Sequence, residues 1–289
     1  MNSLSARLIN LITLQLTRLS FMPYKTISKT QAPPLLVCGI FRSGTSITTN
    51  ILSKAGFDPG PQDHLLQATS INPDGYFENY FFMDLSRYLF HLTNSYGDNP
   101  PDETAVEKIE VKNLRDDAFR KFTLLQIHDD RVKNVNKMRV LQKASVHYMN
   151  AYLSHCFGER PMIKNPHFSV LEPFFKKVFP DSKRLVVFRN PTDWKHSAQV
   201  VSDKSNEALY DHYYKYYLDS QDAGIIFFNY DQLSNDPKGS IEKLLNALEI
   251  KNADAETLSN LVRKKDKAPS KEVILTTSYS ELLKRAINP

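Results

Sequence analysis

Cysteine is scarce in this chain: Cys38 and Cys156 are the two among 289 residues. Two thiols make no disulfide framework, so burial must hold the fold together, and a reducing, cytoplasmic setting is expected. Charge of one sign is also missing, with 37 basic and 32 acidic side chains and a formal net charge of +5. That mild excess suits an anionic small ligand and falls short of the basic stripe that nucleic acids require, so no nucleic acid is expected. No apolar run is long enough to cross a bilayer. The best candidate lies between Arg7 and Arg18, which bracket only ten uncharged residues, and no clear small-residue cleavage site follows it. No repeat or low-complexity tract appears. The His, Cys, Asp and Glu residues show no metal-ligand spacing, so no metal is expected.

What is present divides into a short extension, 1–32, and one large domain, 33–289. Leu8, Ile12, Leu16 and Leu19 place an apolar stripe on a helical extension, to be docked on the domain or laid against a membrane surface. Pro33-Pro34 mark the break. Beyond it, four apolar segments read as strands, at 35–40, 161–164, 184–189 and 224–229. Helical patterns separate them, notably at 43–55, 78–93, 142–156, 169–178, 193–221 and 238–248. Such alternation implies an α/β fold with a central, mostly parallel sheet flanked by helices and right-handed crossovers. Residues 97–135 read as an insertion able to cover a substrate site, opening with the loop signal Gly97-Asp98-Asn99-Pro100-Pro101-Asp102. Cys38, in a strand, reads as a small core residue.

Two strand-to-helix junctions carry anion-binding chemistry. The first runs Leu35 to Ser46, where Gly39 and Gly44 bracket a turn between a buried strand and a helix. Free backbone N–H groups in such a turn, with the helix dipole behind them, favour a phosphate-like group. The spacing resembles a nucleotide-binding P-loop, but Thr45 stands where that motif needs lysine, leaving Arg42 as the cation of the loop. The second junction is Arg189-Asn190-Pro191-Thr192-Asp193-Trp194-Lys195-His196-Ser197. Arg189 falls at a strand's C-terminal end, where open α/β sheets bind ligands. Pro191 and Asp193 suit the first turn of a helix, and Ser197 follows two turns on, able to share a phosphate with Arg189.

Together these segments resemble the sulfotransferases that use 3′-phosphoadenosine-5′-phosphosulfate (PAPS), with their P-loop-like three-layer fold. Asn72-Pro73-Asp74-Gly75-Tyr76-Phe77-Glu78-Asn79 and Asn229-Tyr230-Asp231-Gln232-Leu233 match further family segments, the second with Asp and Gln substituted. The resemblance covers roughly 35–250 and is dense in four short patches. It implies a PAPS-dependent enzyme in which Arg42, Ser43, Gly44, Thr45 and Ser46 hold the 5′-phosphosulfate, and Arg189 and Ser197 hold the 3′-phosphate. It also brings in the basic cluster Arg263-Lys264-Lys265-Asp266-Lys267 as a loop over the nucleotide, against the plain reading of a solvated face.

In-line transfer of a sulfuryl group develops charge that fixed cations and N–H donors stabilise. Arg42 is expected at the bridging oxygen, or else paired with a carboxylate to close its loop, and Lys164 is a second cation near the transferred group. Two residues compete as general base. Glu78 closes the Gly75-Tyr76-Phe77-Glu78 segment, and family members with that segment resemble enzymes that use a glutamate; the alternative is a helix cap. His167 follows Lys164 as a histidine follows lysine in the cytosolic enzymes, one position later than there; the alternative is a hydrogen-bonding residue beside a helix start. His64, in a polar loop, is a weaker candidate for the acceptor site. The aromatic clusters 76–82 and 210–217 read as core before they read as stacking platforms. The acceptor is a hydroxyl, with a glycan favoured by the resemblance, then a lipid or small alcohol. A P-loop kinase and a non-catalytic nucleotide-binding protein on the same fold are the alternatives. Thr45 argues against the first, and the intact Arg42, Glu78, Arg189 and Ser197 against the second.

Overall fold

A computed structural model describes residues 32–70, 72–109, 149–263 and 276–288. The extension 1–31, most of the region 97–135, the first half of the helix expected at 142–156 and the basic residues after Arg263 lie outside them. Four strands form one sheet: β1 (Leu35–Cys38), β2 (Met162–Lys164), β3 (Arg184–Phe188) and β4 (Ile225–Asn229). Their order is β2-β1-β3-β4, and every pairing is parallel. All four C-terminal ends therefore open on one edge, where α/β sheets bind their ligands.

β1, β2 and β3 are buried along their whole length and β4 over its last three residues, so their sequences are mainly apolar, with Lys164, Arg184 and Asn229 at strand ends. Alternate side chains feed two separate cores, as the period of two requires. Leu36, Cys38, Ile163, Val186 and Phe188 pack with α2 (Tyr80–Leu92), α4 (Met149–Cys156), α5 (Phe168–Val178), α7 (Glu207–Asp219) and α11 (Thr277–Arg285). Leu35, Val37, Met162, Leu185 and Val187 face the opposite layer of α1 (Thr45–Lys54), α9 (Pro237–Ala247) and α10 (Ala255–Ser259). The three-layer expectation holds. Cys38 is a buried thiol in the first core, and burial raises its pKa.

One long helix expected over 193–221 is two: α6 (Pro191–Ala198) and α7. The break has a local cause. Ser202 and Ser205 close a turn, Ser205 Oγ donating to Ser202 O at 2.9 Å, and the Asn206 side chain caps α7 by accepting from Leu209 N at 2.9 Å. The remaining short helices are α3 (Glu103–Glu107) and α8 (Tyr230–Asn235).

Four of the five tyrosines of α7 are core, as their spacing suggested, yet each of those four hydroxyls has a task. Tyr210, Tyr213, Tyr214 and Tyr217 are fully buried. Tyr214 Oη accepts from Ile40 N at 3.3 Å and donates to Val187 O at 3.0 Å, bridging the ends of β1 and β3. Tyr210 Oη donates to Arg189 O at 2.7 Å, and Tyr213 Oη to Gly97 O at 2.8 Å. Tyr217 reaches the buried Glu172–Arg184 ion pair, whose N–O separation is 2.7 Å. The buried aromatic face of α7 thus satisfies backbone groups at the ends of β1 and β3.

The substitution Tyr214→Phe would orphan the buried Ile40 N–H while keeping the ring. It is expected to cost about 1–3 kcal/mol of unfolding free energy, read from urea denaturation, with little change in secondary structure.

Candidate active site

The site begins where β1 ends. Gly39 has φ 127°, and a Cβ there would lie 2.1 Å from the carbonyl oxygen of Val187. Only glycine lets the loop leave β1 this close to β3. Arg42 takes a left-handed φ of 67°, and the buried Ser43 hydroxyl folds back to donate to Ile40 O at 2.6 Å. Gly44, at φ 97°, begins α1 without a side-chain cap, and its missing Cβ accommodates the ring of Tyr230. The first N–H groups of α1 therefore face the cavity uncapped, as an anion site needs.

The second loop comes from β3 and lies against the first. Arg42 Nε donates to Ser197 Oγ at 3.1 Å, and Trp194 Nε1 donates to Phe41 O at 2.8 Å. Asn190 caps α6 through its side chain, with Pro191 in the first turn as the sequence suggested. Arg189, mostly buried, has Asp231 Oδ1 3.9 Å from its Nε and Asp193 Oδ2 3.9 Å from its Nη2. Its guanidinium lies 5.3 Å from the centre of the Tyr230 ring. Its Nε finds no hydrogen-bond partner among the described residues.

A third contribution closes the site. Glu78 and Lys164 pair as neighbours in an isolated parallel bridge, and Lys164 Nζ meets Glu78 Oε1 at 2.5 Å. The lysine is buried at the end of β2, and the same ammonium lies 3.4 Å from Ser46 Oγ. The turn that carries Glu78 is held by Asn72, whose Nδ2 donates to Gly75 O at 2.7 Å and to Ser46 Oγ at 3.3 Å. Phe77 adopts a left-handed φ of 59° just before Glu78. Glu78 is not the helix cap: that place belongs to Asn79, which accepts from Phe81 N at 3.0 Å.

These groups line one cavity of about 480 Å³, which brings together Arg42, Gly44, Thr45, Ser46, Glu78, Lys164, Arg189 and Ser197. Ser43 lies beneath it, its hydroxyl occupied by its own loop. His167 is not among the lining residues: it starts α5, its ring lying edge-on to Phe90 with centroids 5.0 Å apart. His64 is elsewhere as well, its Nδ1 2.9 Å from Tyr152 Oη. Asn72, Tyr76 and Tyr230 line the cavity from within motifs already visible in the sequence, whereas Pro166, Val200 and Val201 do so unannounced. Nothing in the pattern around Val200 and Val201 marked them. Arg263 joins the edge of the site by an ion pair with Asp74, 2.8 Å apart. No group of residues suited to a metal occurs among those described, and none of their helices is long and apolar enough to cross a membrane.

The arrangement can hold an extended anion at two points, a helix N-terminus with Arg42 and a mostly buried Arg189, with a carboxylate–ammonium pair lining the same cavity. The family model for sulfotransferases matches residues 33–254, which contain all of these groups. The chain belongs to the sulfotransferase family. No curated protein matches its sequence. Among solved structures, a sulfotransferase of Mycobacterium tuberculosis aligns over 86% of this chain and 75% of its own, at 13% identity and a TM-score of 0.41. One of Mycobacterium avium aligns over 80% and 68%, at 14% identity and a TM-score of 0.36.

In this sulfotransferase, burial pushes the His167 imidazole down to about 4 from 6.5; the nearby Glu78 opposes that, and Arg87 and Lys164 add to it. A folded-state pKa below the unfolded one means that the unfolded chain binds the extra proton. His167 therefore contributes stability above pH 6.5 that is lost as pH falls toward 4. Replacing it in His167→Gln should flatten the fall in unfolding free energy between those two values, measured by urea denaturation at stepped pH.

Proposed function

We propose that this sulfotransferase transfers a sulfuryl group from PAPS to an acceptor hydroxyl, with Glu78 as general base. The observation that carries the reading is the meeting of Glu78 and Lys164 with two anion-binding loops in a single cavity. The residues present suit a donor that is anionic at both ends. Gly39 and Gly44 keep the first loop's backbone clear, α1 opens uncapped, and Arg189 has a buried nitrogen awaiting an acceptor. When bound, PAPS supplies an activated sulfuryl group on a phosphate that departs readily.

The chain's own residues do the rest. The N–H groups of Gly44, Thr45 and Ser46, with the Ser46 hydroxyl, would hold the 5′ end, and Arg189 and Ser197 the 3′-phosphate. Arg42 has a choice of partners: released from Ser197, its guanidinium can follow charge that builds at the bridging oxygen. Glu78 would take the acceptor proton, as the carboxyl side chain that lines the cavity beside Lys164. Lys164 spans the two jobs, within reach of both Glu78 and Ser46, so a single buried ammonium orients the base and faces the transferred group. Glu78 is favoured over His167 because it lines the cavity and the imidazole does not. A glycan hydroxyl is the proposed acceptor, with a lipid or small alcohol next.

Calorimetric or thermal-shift titration with adenosine 3′,5′-bisphosphate, 5′-AMP and Mg·ATP tests the donor site. At 100 times its dissociation constant a specific ligand should add about 2.7 kcal/mol of stability. The bisphosphate should do so and the others should not; a preference for Mg·ATP would reopen the kinase reading. Arg189→Ala should weaken bisphosphate binding by about 10- to 100-fold. With PAPS and a panel of hydroxyl acceptors, Glu78→Gln should lose about 10²- to 10⁴-fold in turnover while bisphosphate affinity stays within a factor of about two. Survival of transfer in that variant together with its loss in His167→Ala would assign the base to the histidine.

A further inference from the structure

Arg189 has unusual company for a residue that receives a phosphate. Two carboxylates stand at equal distance from it, Asp193 and Asp231, each 3.9 Å away. By charge alone both should repel the ligand. At 3.9 Å neither is a hydrogen bond, so they attract the guanidinium without using up its N–H groups. The two acids differ in what else they hold. Asp193 belongs to the first turn of α6, where a negative charge meets the helix dipole. Asp231 comes from a different part of the chain, the start of α8 after β4. Its Oδ2 accepts from Asn190 N at 2.5 Å, and its own N–H donates to Asn229 Oδ1 at 2.9 Å. Asp231 thus grips the residue after Arg189 with one oxygen and faces the Arg189 head group with the other. Tyr230, beside it, lies over the guanidinium and against Gly44 of the first loop.

We propose that Asp231 is a positioning residue for the 3′-phosphate site: it fixes the Arg189 guanidinium in the orientation that receives the phosphate, at the cost of adding a negative charge beside it. This inference rests on the sulfotransferase reading of Arg189. Its strength is that the two physical effects have opposite signs. Removing the Asp231 charge relieves repulsion of the ligand, which strengthens binding. Removing it also frees the arginine from its tether, which weakens binding. The proposal requires the second to win.

The substitution Asp231→Asn reads the balance of the two, because the amide oxygen can still accept from Asn190 N while the charge, and both of its effects, are gone. Calorimetric dissociation constants are measured for adenosine 3′,5′-bisphosphate and for 5′-AMP, which lacks the 3′-phosphate. The variant should bind the bisphosphate about tenfold more weakly and 5′-AMP unchanged, so that discrimination between the two shrinks. Asp231→Glu, which restores a carboxylate, should recover part of that loss. Bisphosphate binding that is unchanged or tighter in Asp231→Asn overturns the positioning role, as does an equal loss for both ligands, which would mark general damage to the fold. Should the asparagine variant not fold, the same comparison with Asp231→Glu decides: selective loss of the bisphosphate supports the role, and no selective change removes it. A wild-type protein that fails to prefer the bisphosphate would remove the sulfotransferase reading of Arg189, and this inference with it, whereas a wild-type preference that the variant keeps undiminished removes the inference alone.

Discussion

The close approach of β1 and β3 is the constraint on which the site depends. Val37 and Leu185 sit in register at the centre of a parallel pair, and one residue past β1 the chain must turn almost against the Val187 carbonyl. Glycine at 39 permits this, and the Tyr214 hydroxyl ties the two strand ends together from below. Two loops that could each bind a phosphate alone thereby emerge side by side. The Arg42–Ser197 and Trp194–Phe41 hydrogen bonds follow from that proximity. The distance between the two loops is then a property of the sheet, not of either loop.

The acid–base end of the site has a different support. Glu78 reaches the cavity because its segment pairs with the end of β2, adding a short extended stretch beside Lys164, and because Asn79 takes over as helix cap. The left-handed Phe77 directs the turn, and Asn72 connects that turn to Ser46 of the first loop. The first loop, Glu78 and the Lys164 ammonium are therefore one connected set of polar contacts, and displacement of any member would be felt by the others.

The strand positions, the two anion loops and the role of Pro191 could be read along the chain because each is a local matter: short apolar runs bounded by glycine, proline and capping residues. Separation of 193–221 into two helices was missed because its signal is brief, a Ser202–Asn206 turn inside an otherwise continuous helical pattern. His167 illustrates the opposite limit. Its spacing from Lys164 pointed to the active site, but a single residue's displacement after Pro166 places it at the start of α5, against Phe90.

Sequence alone determined the elements and their chemistry: an α/β alternation, a P-loop-like turn without its lysine, an arginine at a strand end and a glutamate after a tight turn. These are encoded within a few residues of one another, where propensity, capping and spacing act directly. The tertiary structure decided which of those groups share a cavity. It paired Glu78 with Lys164 across 86 residues, set Arg42 on Ser197 across 155, and brought Asp231 from the end of β4 to Arg189 at the end of β3. Such contacts arise from strand order and register, and no local pattern carries the order in which four similar apolar strands lie down beside one another.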